Sequence, residues 1–173
     1  MADKLMIVAH PDDEVIFGGA HLLRESNWKV ICATNADKER RAREFAAVMK
    51  RLHAEFEIWN FRDTYSSHFD RAGFKARLRG VLGNHDFRKV VTHGFLGEYG
   101  HPQHKEIARI AWDLIDERLY MFAVGDQRLD RAVIEKKRKL LNRYESQRKT
   151  IRELRHDEGL DRFIERELFV RVK

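Results

Sequence analysis

The chain has few of the residues that cross-link or punctuate a fold: among 173 residues there are one cysteine and two prolines. The lone Cys32 has no partner for an internal disulfide and falls in the apolar run Val30-Ile31-Cys32-Ala33. This excludes a disulfide-built secreted scaffold and predicts a buried thiol in a reducing compartment. No apolar run approaches the roughly 18 residues of a membrane helix, and the segment after Met1 lacks a cleavage-site pattern. A soluble, cytoplasmic protein with no transmembrane segment is therefore expected. Both prolines follow a histidine, in His10-Pro11 and His101-Pro102.

Charge is plentiful but not segregated into blocks. Charged residues make up 36% of the chain and hydrophobic ones 43%, which excludes wholesale disorder. Residues 1–127 carry 19 basic and 19 acidic side chains, so the net charge of +6 arises entirely in 128–173, with 15 against 9. That basic region suits a phosphorylated substrate or nucleic acid or, more plainly, a solvated amphipathic helix such as the one containing Glu135-Lys136-Lys137-Arg138-Lys139. The length predicts one domain over 1–173.

Short β-rich runs alternate with helical patterns, which predicts an α/β fold: a Rossmann-like three-layer sandwich around a mostly parallel sheet. The expected strands are Lys4–Ala9, Lys29–Thr34, Phe56–Asn60, Lys89–Thr92 and Leu119–Val124. Helical spacing joins Phe45, Val48, Met49 and Leu52, then Phe74, Leu78, Val81 and Leu82, then Ile107, Ile110, Ala111 and Leu114. Helices are expected near Ala132–Tyr144 and Arg148–Arg155, followed by the apolar run Leu168-Phe169-Val170. With strand order 3-2-1-4-5, strands 1 and 4 are neighbours, and the crevice beyond their carboxyl ends is the topological switch point where such folds bind ligands.

The two histidine-proline clusters both fall there. His10-Pro11-Asp12-Asp13-Glu14 follows the first strand, and His101-Pro102-Gln103-His104 follows the loop after the fourth. Two imidazoles and a carboxylate form a common catalytic zinc set, and His10, Asp13 and His104 fit it. Asp12 is left beside them as a spare carboxylate, a candidate general base. Each cluster alone also suits a plainer role. Asp12 and Asp13 suit the first turn of any helix, and His101 and His104 suit a helix surface. Those readings predict neither the repeated His-Pro nor the shared position after strands 1 and 4.

Ala9-His10-Pro11-Asp12-Asp13-Glu14 and Gly97-Glu98-Tyr99-Gly100-His101-Pro102-Gln103-His104 together resemble the two signature motifs of the PIG-L (LmbE-like) metal-dependent N-deacetylases, over roughly the first 115 residues. The resemblance implies Zn2+ held by His10, Asp13 and His104, although two histidines and a carboxylate also suit iron(II). It implies Asp12 as general base, His101 as the group assisting the tetrahedral intermediate, and Tyr99 as a contact to the oxyanion. Arg41, in Arg41-Ala42-Arg43-Glu44, is similar to an arginine that contacts sugar hydroxyls or phosphate, and Asp63 to an acidic sugar contact. His93 and His68 are read as structural. One departure stands out: Gln103 occupies the place of an acid in the usual His-Pro-Asp-His, which removes the negative partner expected for a protonated His101.

The expected activity is hydrolysis of the N-acetyl group of an amino sugar to amine and acetate, with His101 protonating the leaving amine. The basic C-terminal region favours a phosphate-, nucleotide- or lipid-linked sugar. The alternatives are an amidase on a non-sugar N-acyl substrate and a polyanion-binding module with a vestigial site. The expected partner is a small-molecule or glycan substrate, with nucleic acid disfavoured. So short a chain leaves little room for loops to roof the pocket, which leaves open a large substrate or a homo-oligomer whose second subunit completes the wall.

Overall fold

The computed structural model describes residues 1–65 and 68–173. A six-stranded sheet is built from β1 (Lys4–Val8), β2 (Trp28–Thr34), β3 (Glu55–Phe61), β4 (Lys89–Thr92), β5 (Leu119–Val124) and β6 (Glu167–Arg171), in the order 3-2-1-4-5-6. The first five strands pair in parallel, with Met6 opposite Val30 on one side and Val91 on the other. β6 is the addition to the expected order: the run around Leu168-Phe169-Val170 lies antiparallel on β5, with Met121 opposite Val170.

The helices are α1 (Asp13–Arg24), α2 (Glu39–Arg51), α3 (Arg71–Gly83), the single turn α4 (Gly97–Gly100), α5 (Pro102–Leu114), α6 (Arg131–Leu141), α7 (Arg148–Asp157) and α8 (Asp161–Glu165). Alternation along the strands assigns them to two layers. Met6 and Val8 face a core that includes Phe17 of α1, Phe45 and Val48 of α2, Leu140 of α6 and Phe163 of α8. Leu5, Ile7 and Ala9 face the other core, with Phe74 and Leu78 of α3 and Ile107 and Ala111 of α5. Covered on both faces, β1 is buried at all five positions, as a central parallel strand must be.

The helix expected over Ala132–Tyr144 stops three residues early, at Leu141. The chain turns there and buries Tyr144, whose hydroxyl donates to Glu14 of α1. A buried ion pair fastens the same region to the sheet edge. Lys137 Nζ lies 2.5 Å from Glu167 Oε2 and also donates to the carbonyl of Ile16, while Glu167 accepts from the backbone N–H groups of Ala20 and His21. Among the described residues no helix is long and apolar enough to cross a membrane.

Candidate functional site

β1 and β4 are adjacent and parallel, so the segments leaving their carboxyl ends converge. The first makes a tight turn into α1. Within it Asp12 takes φ 119°, ψ −29°, a conformation that L residues rarely adopt. Its N–H donates to Glu14 Oε2 at 3.1 Å, and its carbonyl accepts from Val15 and Ile16 at 3.1 and 3.0 Å. The Asp12 side chain makes no capping bond and lines a cavity of about 300 Å³ with His10, Asp13, Arg41, Asp63 and His101. The plain helix-cap reading therefore fails for Asp12.

Three donor atoms meet at the base of this site. His10 Nδ1 and Asp13 Oδ2 are 3.2 Å apart, His104 Nε2 and Asp13 Oδ2 3.4 Å, and His104 Nε2 and His10 Nδ1 3.3 Å. A tetrahedral ion with ligands at about 2.0–2.1 Å has edges of about 3.3 Å, so the triangle has the right size. The ring nitrogens are also correctly prepared. His10 Nε2 lies 2.9 Å from Gln103 Oε1, and His104 Nδ1 lies 2.6 Å from Glu98 Oε2. A proton held on each outer nitrogen would leave the inner one to offer its lone pair to an ion in place of its own proton. Asp13 Oδ2 also accepts from the His10 N–H at 2.8 Å. These residues fit a divalent metal ion.

The electrostatics favour a cation at the same place. Burial opposes charge on His10, yet its bonds with Asp13 and Asp63 raise its pKa to about 10. Asp13, although buried, is held well below the usual carboxylate range by His104 and His10. Burial lifts Asp12 to about 7 against the pull of Arg41. Arg41 reaches Asp63 at 3.2 Å, the carbonyl of Pro11 at 3.4 Å and Asp12 at 3.8 Å, so both expected substrate-binding residues join the site.

His101 is the N-cap of α5, and its Nδ1 accepts from the backbone N–H of Gln103 at 3.2 Å. That bond leaves the ring proton on Nε2. Burial, reinforced by positive charge at His104 and His10, lowers the His101 pKa to about 3. The expectation that Gln103 occupies the place of a partner to the His101 ring is corrected here. The Gln103 side chain instead bridges His10 Nε2 and the carbonyl of Arg62, the latter at 2.8 Å, because the first turn of α5 points it across to the β1 segment. Tyr99 lines the cavity, with its ring centroid 5.9 Å from that of His101, and burial raises its pKa.

His93 is fully buried behind the donor set, where its Nε2 accepts from the Ala9 N–H at 3.0 Å and its Nδ1 lies 2.9 Å from Glu98. His68 is exposed and does not line the cavity. Sequence reasoning missed the function of Glu98, which bridges His93 and His104 and takes φ 55°. It also missed Tyr65, whose ring lies 4.5 Å from His101, and Gln147, Thr150 and Leu154, which wall the cavity from the C-terminal part. A motif quotes Glu98 but says nothing of its bonds, and the other four lie where no pattern marks them.

A buried centre of histidines and carboxylates thus lies at the switch point of a mostly parallel sheet in a Rossmann-like α/β protein. The chain belongs to the PIG-L family, whose model, described as GlcNAc-PI de-N-acetylase, matches residues 5–115. It is 38% identical over 168 residues to the uncharacterized protein L374 of Acanthamoeba polyphaga mimivirus, covering 87% of this chain and 74% of that one. Its fold is similar to a deacetylase of the teicoplanin biosynthetic pathway, solved as a triple mutant (TM-score 0.70, 20% identity, 93% of this chain and 89% of that one). It is also similar to the N,N'-diacetylchitobiose deacetylase of Pyrococcus horikoshii (TM-score 0.67, 18% identity, 84% and 71%).

Proposed function

We propose that the protein is a zinc-dependent N-deacetylase that hydrolyses the N-acetyl group of an amino sugar. The observation that carries this reading is the triangle of donor atoms 3.2–3.4 Å apart, with both histidine tautomers set from behind and a spare carboxylate beside it. His10, Asp13 and His104 would hold the ion, which when bound supplies Lewis acidity toward the acyl carbonyl and lowers the pKa of water. Family membership and the description of its model, a de-N-acetylase of an N-acetylglucosamine compound, support the substrate class.

Asp12 has the base role, because it lines the cavity and its strained turn is held by Glu14. It takes a proton from the attacking water as the C–O bond forms, and returns it to the nitrogen as the C–N bond breaks, releasing acetate and the free amine. His101, with Nδ1 already accepting a hydrogen bond, offers Nε2–H to the developing oxyanion. Tyr99 offers its hydroxyl from the same cavity wall. This differs from the role expected from the sequence, in which His101 protonates the amine, because the Gln103 N–H occupies the nitrogen that an imidazolium would need as a donor. Arg41 and Asp63 line the same cavity, and in this reading they orient the sugar hydroxyls or an anionic substituent.

The test is turnover of N-acetylglucosamine, its 1-phosphate and its nucleotide-linked form by zinc-loaded protein, with acetate and free amine both quantified. Equimolar release that is lost in Asp12→Asn is the expected result. Stoichiometric metal with no amine released from these sugars, but release from a non-sugar N-acyl amine, would move the substrate class to the amidase alternative.

A further inference from the structure

A groove of about 860 Å³ lies away from the donor triangle, between α2 and α6. Six cations line it: Arg40, Arg43 and Arg51 from α2, and Lys136, Lys139 and Arg143 from α6 and the turn after it. The spacing explains the concentration. Arg40, Arg43, Ala47 and Arg51 recur at intervals of three and four, as do Lys136, Lys139 and Arg143, so each segment turns one cationic face to the groove.

The two carboxylates that line it are already engaged. Glu44 accepts from the Ser146 N–H at 3.1 Å and pairs with Arg40 at 3.3 Å, while Glu145 pairs with Arg40 at 3.0 Å. Arg43 pairs with Glu39. Among the described residues Arg51, Lys136, Lys139 and Arg143 have no ion pair, and all four are exposed. Clustered like charges repel, so they raise the free energy of the groove until an anion enters it.

The chemistry of the floor narrows the anion. It is formed by Leu23, Ala47 and Leu140 and has no aromatic ring on which a base stacks, which disfavours single-stranded nucleic acid. The exposed large apolar side chains, such as Phe95, Leu96 and Trp112, lie outside the groove, which disfavours a lipid surface. Guanidinium and ammonium groups on two facing rows match a compact ligand with several phosphate oxygens.

We infer that the groove between α2 and α6 binds the phosphates of a di- or triphosphate ester through Arg51, Lys136, Lys139 and Arg143. Two sources present that chemistry: the diphosphate of an activated sugar, or a separate polyphosphate ester. The first has a structural argument, since Arg40 faces the groove and Arg41 the catalytic cavity, and Glu145 and Gln147 likewise divide between the two. Only that choice of source rests on the deacetylase reading.

The test begins with titration calorimetry of zinc-loaded protein with inorganic tripolyphosphate at constant ionic strength. The Arg51→Gln/Lys139→Gln/Arg143→Gln variant should bind about tenfold or more weakly, as loss of charge-assisted phosphate contacts predicts. Arg128→Gln/Arg131→Gln/Lys149→Gln, which removes the same charge outside the groove, should bind like the parent. No binding by the parent, or equal weakening in both variants, would overturn the inference. A KM for UDP-N-acetylglucosamine that rises in the groove variant, with the neutral sugar unaffected, assigns the phosphates to the substrate. Unchanged KM values alongside lost tripolyphosphate binding assign them to a separate ligand. Turnover of neither sugar defeats the deacetylase reading and leaves the calorimetric result to stand or fall by itself.

Discussion

Replacing Glu98 with glutamine tests whether the carboxylate behind His104 sets the donor strength of that ring. The Glu98 side chain is 1% exposed, and Oε2 lies 2.6 Å from His104 Nδ1 and 2.9 Å from His93 Nδ1, while Oε1 accepts from the Gly94 N–H at 2.7 Å. One side chain therefore serves three N–H donors. Glutamine has a single oxygen, and its amide NH2 must then face either the Gly94 N–H or the imidazole N–H groups, so at least one buried donor loses its acceptor. That costs about 1–3 kcal/mol of folding stability. Loss of the anion also weakens the ring as a ligand, and outer partners of metal-binding histidines are worth about 10–100-fold in metal affinity. The assay is competition of metal-free protein with a chromophoric chelator for zinc, paired with thermal melting in the absence of metal. Glu98→Gln should raise the zinc Kd by about 10–100-fold, and Glu98→Asp, which keeps the charge and tolerates the positive φ, should fall between it and the parent. A Glu98→Gln variant that melts earlier yet binds zinc as tightly as the parent would refute the argument and leave Glu98 as a loop latch.

The neighbouring aspartates should separate cleanly. Asp13→Ala loses metal in elemental analysis, whereas Asp12→Asn keeps it and loses about two to four orders of magnitude in kcat. The reverse pattern exchanges their roles. Gln103→Asp should act on His10, which its side chain touches, and not on His101. Chelator competition should show metal held about tenfold more tightly, as an added carboxylate behind a ligating histidine predicts, with kcat against pH unchanged on its basic side. Lys137→Met leaves Glu167 buried without its cation and should cost about 3–5 kcal/mol in urea unfolding, less in Lys137→Met/Glu167→Gln. Burial opposes charge on Glu167, but Lys137 and His21 hold its pKa below the ordinary 4.5. Its contribution is therefore complete above pH 4.5 and lost as pH falls through the lower folded value. Stability of Glu167→Gln should fall less steeply over that acid range than the parent's.

Features that depend on short-range pattern were legible in the residues alone. Short apolar runs marked the five parallel strands within a residue or two, most plainly in β1 and β2, where burial on both faces leaves a continuous hydrophobic signature. The order 3-2-1-4-5 was the expectation for a doubly wound sheet of this kind, and the structure has it with β6 added. The pairing of His10 and Asp13 with His104 was legible for the same reason, since both segments leave the carboxyl ends of neighbouring strands. Features that depend on where a side chain points were set by the folded chain. It directed Gln103 to His10 and away from the His101 ring, placed Glu98 between two histidines, and fixed the His101 tautomer through a backbone N–H. It also made a strand of the run around Leu168-Phe169-Val170, because β5 offered an unpaired edge, and it bent the chain after Leu141 so that Tyr144 reaches Glu14. These outcomes are set by hydrogen-bond partners far apart in the chain, and a local pattern of residues carries no record of such partners.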